Sequence, residues 1–141
     1  MRLGTNAALV ALPDTSVVLI DDDSGELGEM PPTLTMKSRM RSHRHFIYKT
    51  KDPRIKININ TSLGGIRACT QYIVAPGSYV AVDQAEKKRI PAEEQPFAGQ
   101  YTIADDLPVA EITFDELPPA FRVALEEKQK SNYSAYAKKH Q

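Results

Sequence analysis

Short apolar runs separated by turn residues fill the first two thirds of the chain and predict strands. Residues 7–12 and 16–20 are apolar runs on either side of Pro13-Asp14-Thr15, a turn triplet, so they predict two buried strands in a hairpin-like pair. Further strands are predicted at residues 33–37, 45–49 and 56–60. The first half of the chain therefore predicts a sheet.

A second turn signal follows at Pro76-Gly77-Ser78, between the apolar runs 71–75 and 79–83. This pattern is typical of a tight hairpin. Residues 86–100 are charged and contain two prolines, so we expect a surface excursion with a connecting role before a short strand at 101–103.

The C-terminal part changes to helical spacing. Pro118 suits the first turn of a helix, and Leu117, Phe121 and Leu125 recur at helical intervals, which predicts an amphipathic helix to about Lys130. The polar segment 131–141 is expected to fray. At 141 residues the chain predicts one α+β domain, with a core over residues 1–130, an antiparallel or mixed sheet and a C-terminal helix.

The overall composition says little about function, but the distribution of charge along the chain is uneven. The formal net charge is zero, yet residues 36–56 carry eight Lys or Arg against Asp52 alone, which predicts a divided electrostatic surface. Cys69 is the only cysteine, so an internal disulfide and a cysteine metal cluster are excluded. No apolar run approaches the roughly 20 residues of a membrane span, and we expect a soluble protein in the cytoplasm.

Three consecutive acids, Asp21, Asp22 and Asp23, end the second predicted strand. On an extended backbone Asp21 and Asp23 point to one face and Asp22 to the other. Two carboxylates on one face repel each other unless a cation lies between them, and hard oxygen ligands suit magnesium or manganese. The alternative is a solvated turn, since Asp favours turns.

A basic turn at residues 38–44 enters the predicted strand that begins at His45. In that position His45 can face a bound phosphate, and the arginines can bind phosphate oxygens bidentately. The alternative is a solvated basic turn with His45 hydrogen-bonded in the sheet. His43 and His45 could also bind zinc, but no Cys or third His lies nearby in the sequence, and we discount this reading.

These motifs together resemble the bifunctional DNA primase/polymerase (prim-pol) family of the archaeo-eukaryotic primase superfamily. The resemblance is carried by Val-Leu-Ile-Asp-Asp-Asp, then Pro32-Thr33 and the basic turn into His45-Phe-Ile-Tyr, then Tyr72-Ile-Val-Ala-Pro-Gly-Ser, in that order. It covers roughly residues 6–125. The resemblance implies a primase-like α+β core and a two-metal nucleotidyl transferase that makes or extends primers, encoded by a bacterium, archaeon, phage or plasmid.

The resemblance also implies roles for particular residues and partners. Asp21 and Asp23 would bind magnesium or manganese, and His45 would contact the phosphates of the incoming nucleoside triphosphate, the three together forming the catalytic set. The further candidate nucleotide-binding residues are Ser42, Arg44 and Ser78. The candidate DNA-binding residues are Lys37, Arg39 and Arg41. The implied partners are a DNA template, nucleoside triphosphates and a replicative helicase, with no membrane.

Two departures from the family pattern bear on activity. The family's third metal-binding aspartate corresponds to Gly65 here, so the site is degenerate, another acid substitutes, or nucleotide is bound without strong catalysis. Asp83 is the nearest later acid on a predicted strand. Family members usually also have a segment upstream of the first strand; this chain begins almost at that strand, so we expect either a compact core or a missing N-terminal segment. The alternatives to a polymerase are a non-catalytic nucleotide- or DNA-binding replication accessory and a small structural or regulatory phage protein.

Overall fold

The computed structural model describes residues 6–139 and has a mixed α+β architecture with mostly antiparallel strands and a C-terminal helix. This confirms the predicted fold class at that level. The strands are β1 (Ala8–Ala11), β2 (Val17–Asp22), β3 (Thr35–Lys37), β4 (Arg44–Lys49), β5 (Ile59–Asn60), β6 (Gly64–Arg67), β7 (Gln71–Val74), β8 (Thr102–Asp105) and β9 (Ala110–Glu111). The helices are α1 (Gln84–Lys87) and α2 (Pro119–Lys139), with 3-10 turns at Gln95–Phe97 and Phe114–Glu116.

Two sheets lie within the described residues. The larger has the strand order β5-β6-β2-β4-β3-β8, all antiparallel, with β9 added parallel to β4. The smaller pairs β1 with β7. Strand β2 is central, because β4 and β6 both pair with it.

Alternation along β2 divides the core into two layers. Val18 and Ile20 point toward α2, where Phe121 and Leu125 are fully buried against them in one cluster. Leu19, one residue out of phase, belongs instead to a cluster with residues of β1, β3, β4 and β7. The helix therefore covers one face of the large sheet and the small sheet covers the other, as the period-2 side-chain alternation of strands requires.

The predicted hairpin between the first two strands is wrong. The turn at Pro13 forms, with the Thr15 amide donating to the Leu12 carbonyl at 3.1 Å, but the chain crosses it from one sheet into the other. Strand β1 finds its partner in β7, with Ala8 opposite Val74 and Ala11 opposite Gln71. The sequence predicts the turn correctly, but a local signal does not specify the partner of a strand.

The hairpin predicted around Pro76-Gly77-Ser78 is also wrong in its second half. The turn is present, but residues 79–83 form no strand, and the β-pairing of Tyr79 with Gln100 is an isolated bridge. The segment 56–60 is likewise shorter as a strand than predicted. Only Ile59–Asn60 pairs as a strand, and the residues before it are held by side chains: the Lys56 ammonium donates to the carbonyls of Leu12, Val17 and Ala68, and Asn58 Oδ1 accepts from the amides of Ala68 and Cys69.

Helix α2 is longer than its apolar pattern predicts. It begins at Pro119, and Leu117, Phe121 and Leu125 are buried as expected. It continues through Lys139 rather than ending near Lys130, because residues 120–139 contain neither Gly nor Pro to stop it. Residues 140 and 141 of the predicted tail lie outside the described part of the chain.

Between residues 6 and 139 no helix has the length and apolarity needed to cross a membrane.

Candidate active site

Three strands bring the residues singled out by the sequence into one row. Asp21 on β2 lies opposite His45 on β4 and, on the other side, opposite Gly65 on β6. Cross-strand partners point to the same face, so side chains at these three positions project together. That face is the one covered by the small sheet. The row lies next to the apolar cluster that contains Leu19, two residues before Asp21 on the same face of β2.

The three aspartates divide between the two faces of β2, as the alternation predicts. Asp21 and Asp23 line a cavity of about 350 Å³. Asp22 points away and is buried, and its Oδ1 accepts hydrogen bonds from the Ser24 amide at 3.1 Å, the Ser24 hydroxyl at 3.1 Å and the Gly25 amide at 2.8 Å. Asp22 therefore closes the turn after β2, a common role of Asp side chains.

Segments distant in the sequence surround the cavity. The strand end supplies Asp21 and Asp23, the basic turn and β4 supply His43 and His45, and β7 supplies Tyr72. The remaining lining residues are Ser38, Arg39, Met40, Ile73, Val74, Glu86, Arg89 and Tyr101. All three motifs that carry the sequence resemblance contribute to this cavity.

Asp21 lies between two cationic or imidazole groups. His45 Nε2 is 3.3 Å from Asp21 Oδ1, and Arg67 Nη2 is 3.7 Å from Asp21 Oδ2. Burial opposes ionisation of Asp21, but the close approach and charge of His45, with the help of Asp23 and Arg67, outweigh it and hold the pKa of Asp21 below its usual value. Asp21 is therefore ionised at neutral pH.

Asp23 responds in the opposite direction. Its partial burial and the negative charge and hydrogen bond of Asp21 raise the pKa of Asp23 above its usual value. The two carboxylates thus line one site in which Asp21 ionises easily and Asp23 ionises less readily. A cation placed between them would offset the repulsion and lower the pKa of Asp23.

Two buried polar atoms in the row have no hydrogen-bond partner within residues 6–139. They are Asp21 Oδ1, whose approach to His45 lacks hydrogen-bond geometry, and His45 Nδ1. The His45 side chain is only 8% exposed, and its ring stacks on that of Tyr101 with centroids 6.0 Å apart. Buried polar atoms are rarely left unsatisfied, so we expect each of these atoms to pair with water or with a bound ligand.

The donor set fits one hard cation. Asp21 Oδ1 is a buried, unsatisfied carboxylate oxygen, and Asp23 offers a second carboxylate in the same cavity. Oxygen donors of this kind suit magnesium or manganese. Within the described residues no group of three or more His, Cys, Asp or Glu side chains is arranged to hold a metal ion.

The space at Gly65, where the resemblance implies a third acid, is occupied by the backbone and side chains of neighbouring residues. A Cβ added at Gly65 would overlap the Ile59 carbonyl oxygen and would lie 3.0 Å from Asn60 Oδ1 and 3.4 Å from Arg67 Nη1. Arg67 Nη1 in turn donates to Asn60 Oδ1 at 2.6 Å and to Gln71 Oε1 at 3.2 Å. Asp83, the other acid considered, is the N-cap of α1 and does not line the cavity.

The candidate DNA-binding residues of the basic turn are already paired with acids. Lys37 Nζ lies 2.5 Å from Glu94 Oε1, and Arg41 Nε lies 3.2 Å from Glu94 Oε2. Arg39 makes two bonds to Glu86, at 3.0 and 2.6 Å. The acids belong to the segment of residues 86–100, for which the sequence predicts only a connecting role. This segment packs on the basic turn and neutralises it.

The further nucleotide-binding candidates lie away from the cavity. Arg44 is next to His45 on β4 and opposite Asp22, and it donates to the Arg41 carbonyl at 3.1 Å. Ser42 is exposed, and Ser78 is buried, where its hydroxyl accepts from the Ala7 amide at 3.1 Å. None of the three side chains lines the cavity beside Asp21. Their proposed roles need a ligand that reaches beyond it.

Sequence reasoning missed several lining residues. Tyr101, which stacks on His45, lies in a predicted short strand and in Gly99-Gln100-Tyr101, which is similar to a downstream pattern of the same family, but the sequence assigns it no role in the site. Arg89 lies in a segment that is predicted only to connect. The proximity of both residues to Asp21 depends on long-range packing, which their local sequence does not indicate.

Comparison of the chain with protein-family models gives no match, and comparison with curated proteins gives none either. The resemblance to the primase/polymerase family therefore stays a prediction from the sequence motifs. The function has to be argued from the residues of the site.

Proposed function

We propose that this chain is a primase/polymerase-like nucleotidyl transferase that synthesises or extends primers on a DNA template. One observation carries the proposal: Asp21, Asp23 and His45, taken from two separate sequence motifs, line one cavity together with Tyr72 of the third motif. In the family that the sequence resembles, these positions bind metal and nucleotide phosphates. The unsatisfied buried atoms of Asp21 and His45 add a chemical reason for a ligand there.

The residues of the cavity divide the work as follows. Asp21 and Asp23 would hold a magnesium or manganese ion. Such an ion supplies positive charge to phosphate oxygens during phosphoryl transfer. His45, held by its stacking on Tyr101, presents a ring nitrogen to a phosphate oxygen. Ser38 and Arg89, which also line the cavity, add a hydroxyl donor and a cation for the phosphates of a nucleoside triphosphate.

The DNA template is the proposed partner, bound largely through its phosphates. Lys37, Arg39 and Arg41 are the candidate contacts, and each has a glutamate partner in the free protein. Template binding at this place requires the phosphates to replace Glu86 and Glu94 as partners of these cations. The glutamates thereby lower the affinity for the template, since they compete with its phosphates for the same cations. The affinity should also fall steeply as the salt concentration rises.

The direct test is template-directed nucleotide incorporation on single-stranded DNA with manganese. The wild type should extend or synthesise primers, and a variant carrying both Asp21→Asn and Asp23→Asn should not. Asp22→Asn is the matched control, since it changes the adjacent acid but keeps an oxygen to close the turn. Equal incorporation by the wild type and the double variant would refute the assigned site.

A second candidate function is a non-catalytic nucleotide- or DNA-binding replication accessory. The observation that favours it is Gly65, where the family's third carboxylate is absent and a guanidinium lies close by. Fewer carboxylates weaken the hold on metal ions and remove an activator of the attacking hydroxyl. Metal-independent DNA binding without nucleotide incorporation would support this function over the polymerase.

A further inference from the structure

The carboxylate of Asp21 has two sides with different surroundings. Oδ1 is buried without a hydrogen bond beside His45, on the side of the cavity that Asp23 lines. Oδ2 lies 3.7 Å from the Arg67 guanidinium. A second cavity, of about 550 Å³, opens on this side and is lined by Asp21, Asn60, Arg67, Thr70, Gln71 and Tyr72. Among the lining residues of the two cavities that lie within residues 6–139, acids besides Asp21 are found on the first side only.

The Arg67 side is built to keep a positive charge in place. The Arg67 side chain is only 19% exposed, and its Nη1 donates to both Asn60 and Gln71. Asn60 stands opposite Gly65 on β5, so it fills the space into which a side chain at position 65 would project. The guanidinium is therefore fixed by two neutral acceptors beside one carboxylate.

A second divalent cation is disfavoured on this side for two reasons. It would meet the permanent charge of Arg67, and it would have no carboxylate besides Asp21 to offset its own charge. Like charges a few ångströms apart repel strongly, and carboxylates are the ligands that compensate a divalent ion. Arg67 supplies one positive charge without any need for ligands.

We propose that this site holds one divalent cation, between Asp21 and Asp23, and that Arg67 supplies the fixed positive charge on the other side of Asp21. The inference rests on the proposed function for its choice of cation. It departs from the two-metal chemistry that the sequence resemblance implies. The anionic group that reaches the Arg67 side of Asp21 would be bound by a guanidinium, in the bidentate manner that phosphates favour.

Manganese binding tests this without any need for catalysis. Electron paramagnetic resonance of the full chain titrated with Mn²⁺ should count one bound ion, and the Asp21→Asn/Asp23→Asn variant should bind none. Adding one equivalent of a non-hydrolysable nucleoside triphosphate should leave a mononuclear signal. A count of zero or two, or the spin-coupled signal of two ions about 3.5–4 Å apart, would overturn the proposal.

Variants of Arg67 test the fixed charge. Arg67→Gln should bind Mn²⁺ on the order of tenfold more tightly, because it removes a positive charge close to the ion while keeping a polar group for Asn60. Arg67→Lys keeps the charge and should bind as the wild type does. Lys51→Gln removes a charge two residues beyond the end of β4 that is farther from His45, and it should leave the Mn²⁺ affinity unchanged. Unchanged affinity in Arg67→Gln, or an equal gain in Arg67→Lys, would overturn the role of Arg67.

These outcomes separate the inference from the proposed function. One bound Mn²⁺ with no nucleotide incorporation would leave the one-cation site standing and remove the polymerase. Incorporation accompanied by two coupled ions would keep the polymerase and remove the one-cation site.

Discussion

The three consecutive aspartates should separate cleanly into one structural and two functional residues, and Asp22→Ala tests this most sharply. Asp22 is 5% exposed, and one oxygen accepts three hydrogen bonds from Ser24 and Gly25. The two amides remain at the turn after truncation, where water can reach them only in part. The loss should therefore show in the stability of the fold.

The magnitude follows from the bonds that disappear. Removing a side-chain acceptor that caps backbone amides costs about 0.5–2 kcal/mol, and bonds to a charged acceptor lie toward the upper end or above it. We expect Asp22→Ala to lower the free energy of unfolding by about 2 kcal/mol, which for a chain of this length is a decrease of roughly 6–10 °C in Tm. Asp22→Asn keeps an acceptor oxygen and should recover most of the loss.

Asp21→Asn should show the reverse pattern. Asp21→Asn loses the attraction of His45 and Arg67 but also removes the repulsion of Asp23, and Oδ1 accepts no hydrogen bond, so the Tm should stay within a few degrees of the wild type. Its manganese affinity should fall by roughly a hundredfold, because ligand charge tunes cation affinity over several decades. Thermal unfolding followed by circular dichroism and Mn²⁺ titration provide the two readouts. A stable Asp22→Ala protein that loses manganese binding would refute this division of roles.

Three more outcomes follow from the same geometry. Gly65→Ala should lower the free energy of unfolding by about 1–3 kcal/mol, because the new Cβ overlaps the Ile59 carbonyl; a wild-type Tm would show that β5 yields easily. The pKa of Asp23 is raised in the folded protein above its ordinary value of 3.8, so protonated Asp23 favours the folded state. This contribution to stability is fully present below pH 3.8 and is lost as the pH rises through the raised, folded-state pKa. Asp23→Asn should therefore raise Tm at pH 7 but not at pH 3, and an equal effect at both would contradict the charge repulsion from Asp21. His45→Gln should lower the affinity for a nucleoside triphosphate, measured by calorimetry, by about tenfold and should leave Mn²⁺ binding intact. Loss of both nucleotide binding and Mn²⁺ binding would assign His45 to the cation instead.

The Gly65→Ala outcome also changes how the missing acid should be viewed. From the sequence, restoring Gly65→Asp looks like a repair of a degraded site. In the structure Asn60 and the Ile59 carbonyl occupy that space, so the added side chain would have to displace β5. The absence of the acid is built into the packing of the neighbouring strand.

The sequence could predict what alternation alone determines. A strand that ends in Asp21-Asp22-Asp23 assigns alternate residues to opposite faces, and the structure shows that division. The buried helix positions Phe121 and Leu125 follow from helical spacing in the same way. These predictions needed only the local period of the chain.

The rest depends on pairings between distant parts of the chain. Glu94 lies 57 residues from Lys37 and Glu86 lies 47 residues from Arg39, and no local pattern indicates that these acids fold back onto the basic turn. The same holds for the pairing of β1 with β7. Strand partners and ion pairs at such separations are chosen by the packing of the whole domain, which a single sequence does not display.

The most direct measurement is a crystal structure of the protein with Mn²⁺ and a non-hydrolysable nucleoside triphosphate, with the metal located by its anomalous scattering. We predict one manganese peak between Asp21 and Asp23, with phosphate oxygens beside His45 and the Arg67 side of Asp21 free of metal. Nucleotide bound elsewhere, or no manganese at the two aspartates, would contradict the assignment of this cavity as the active site.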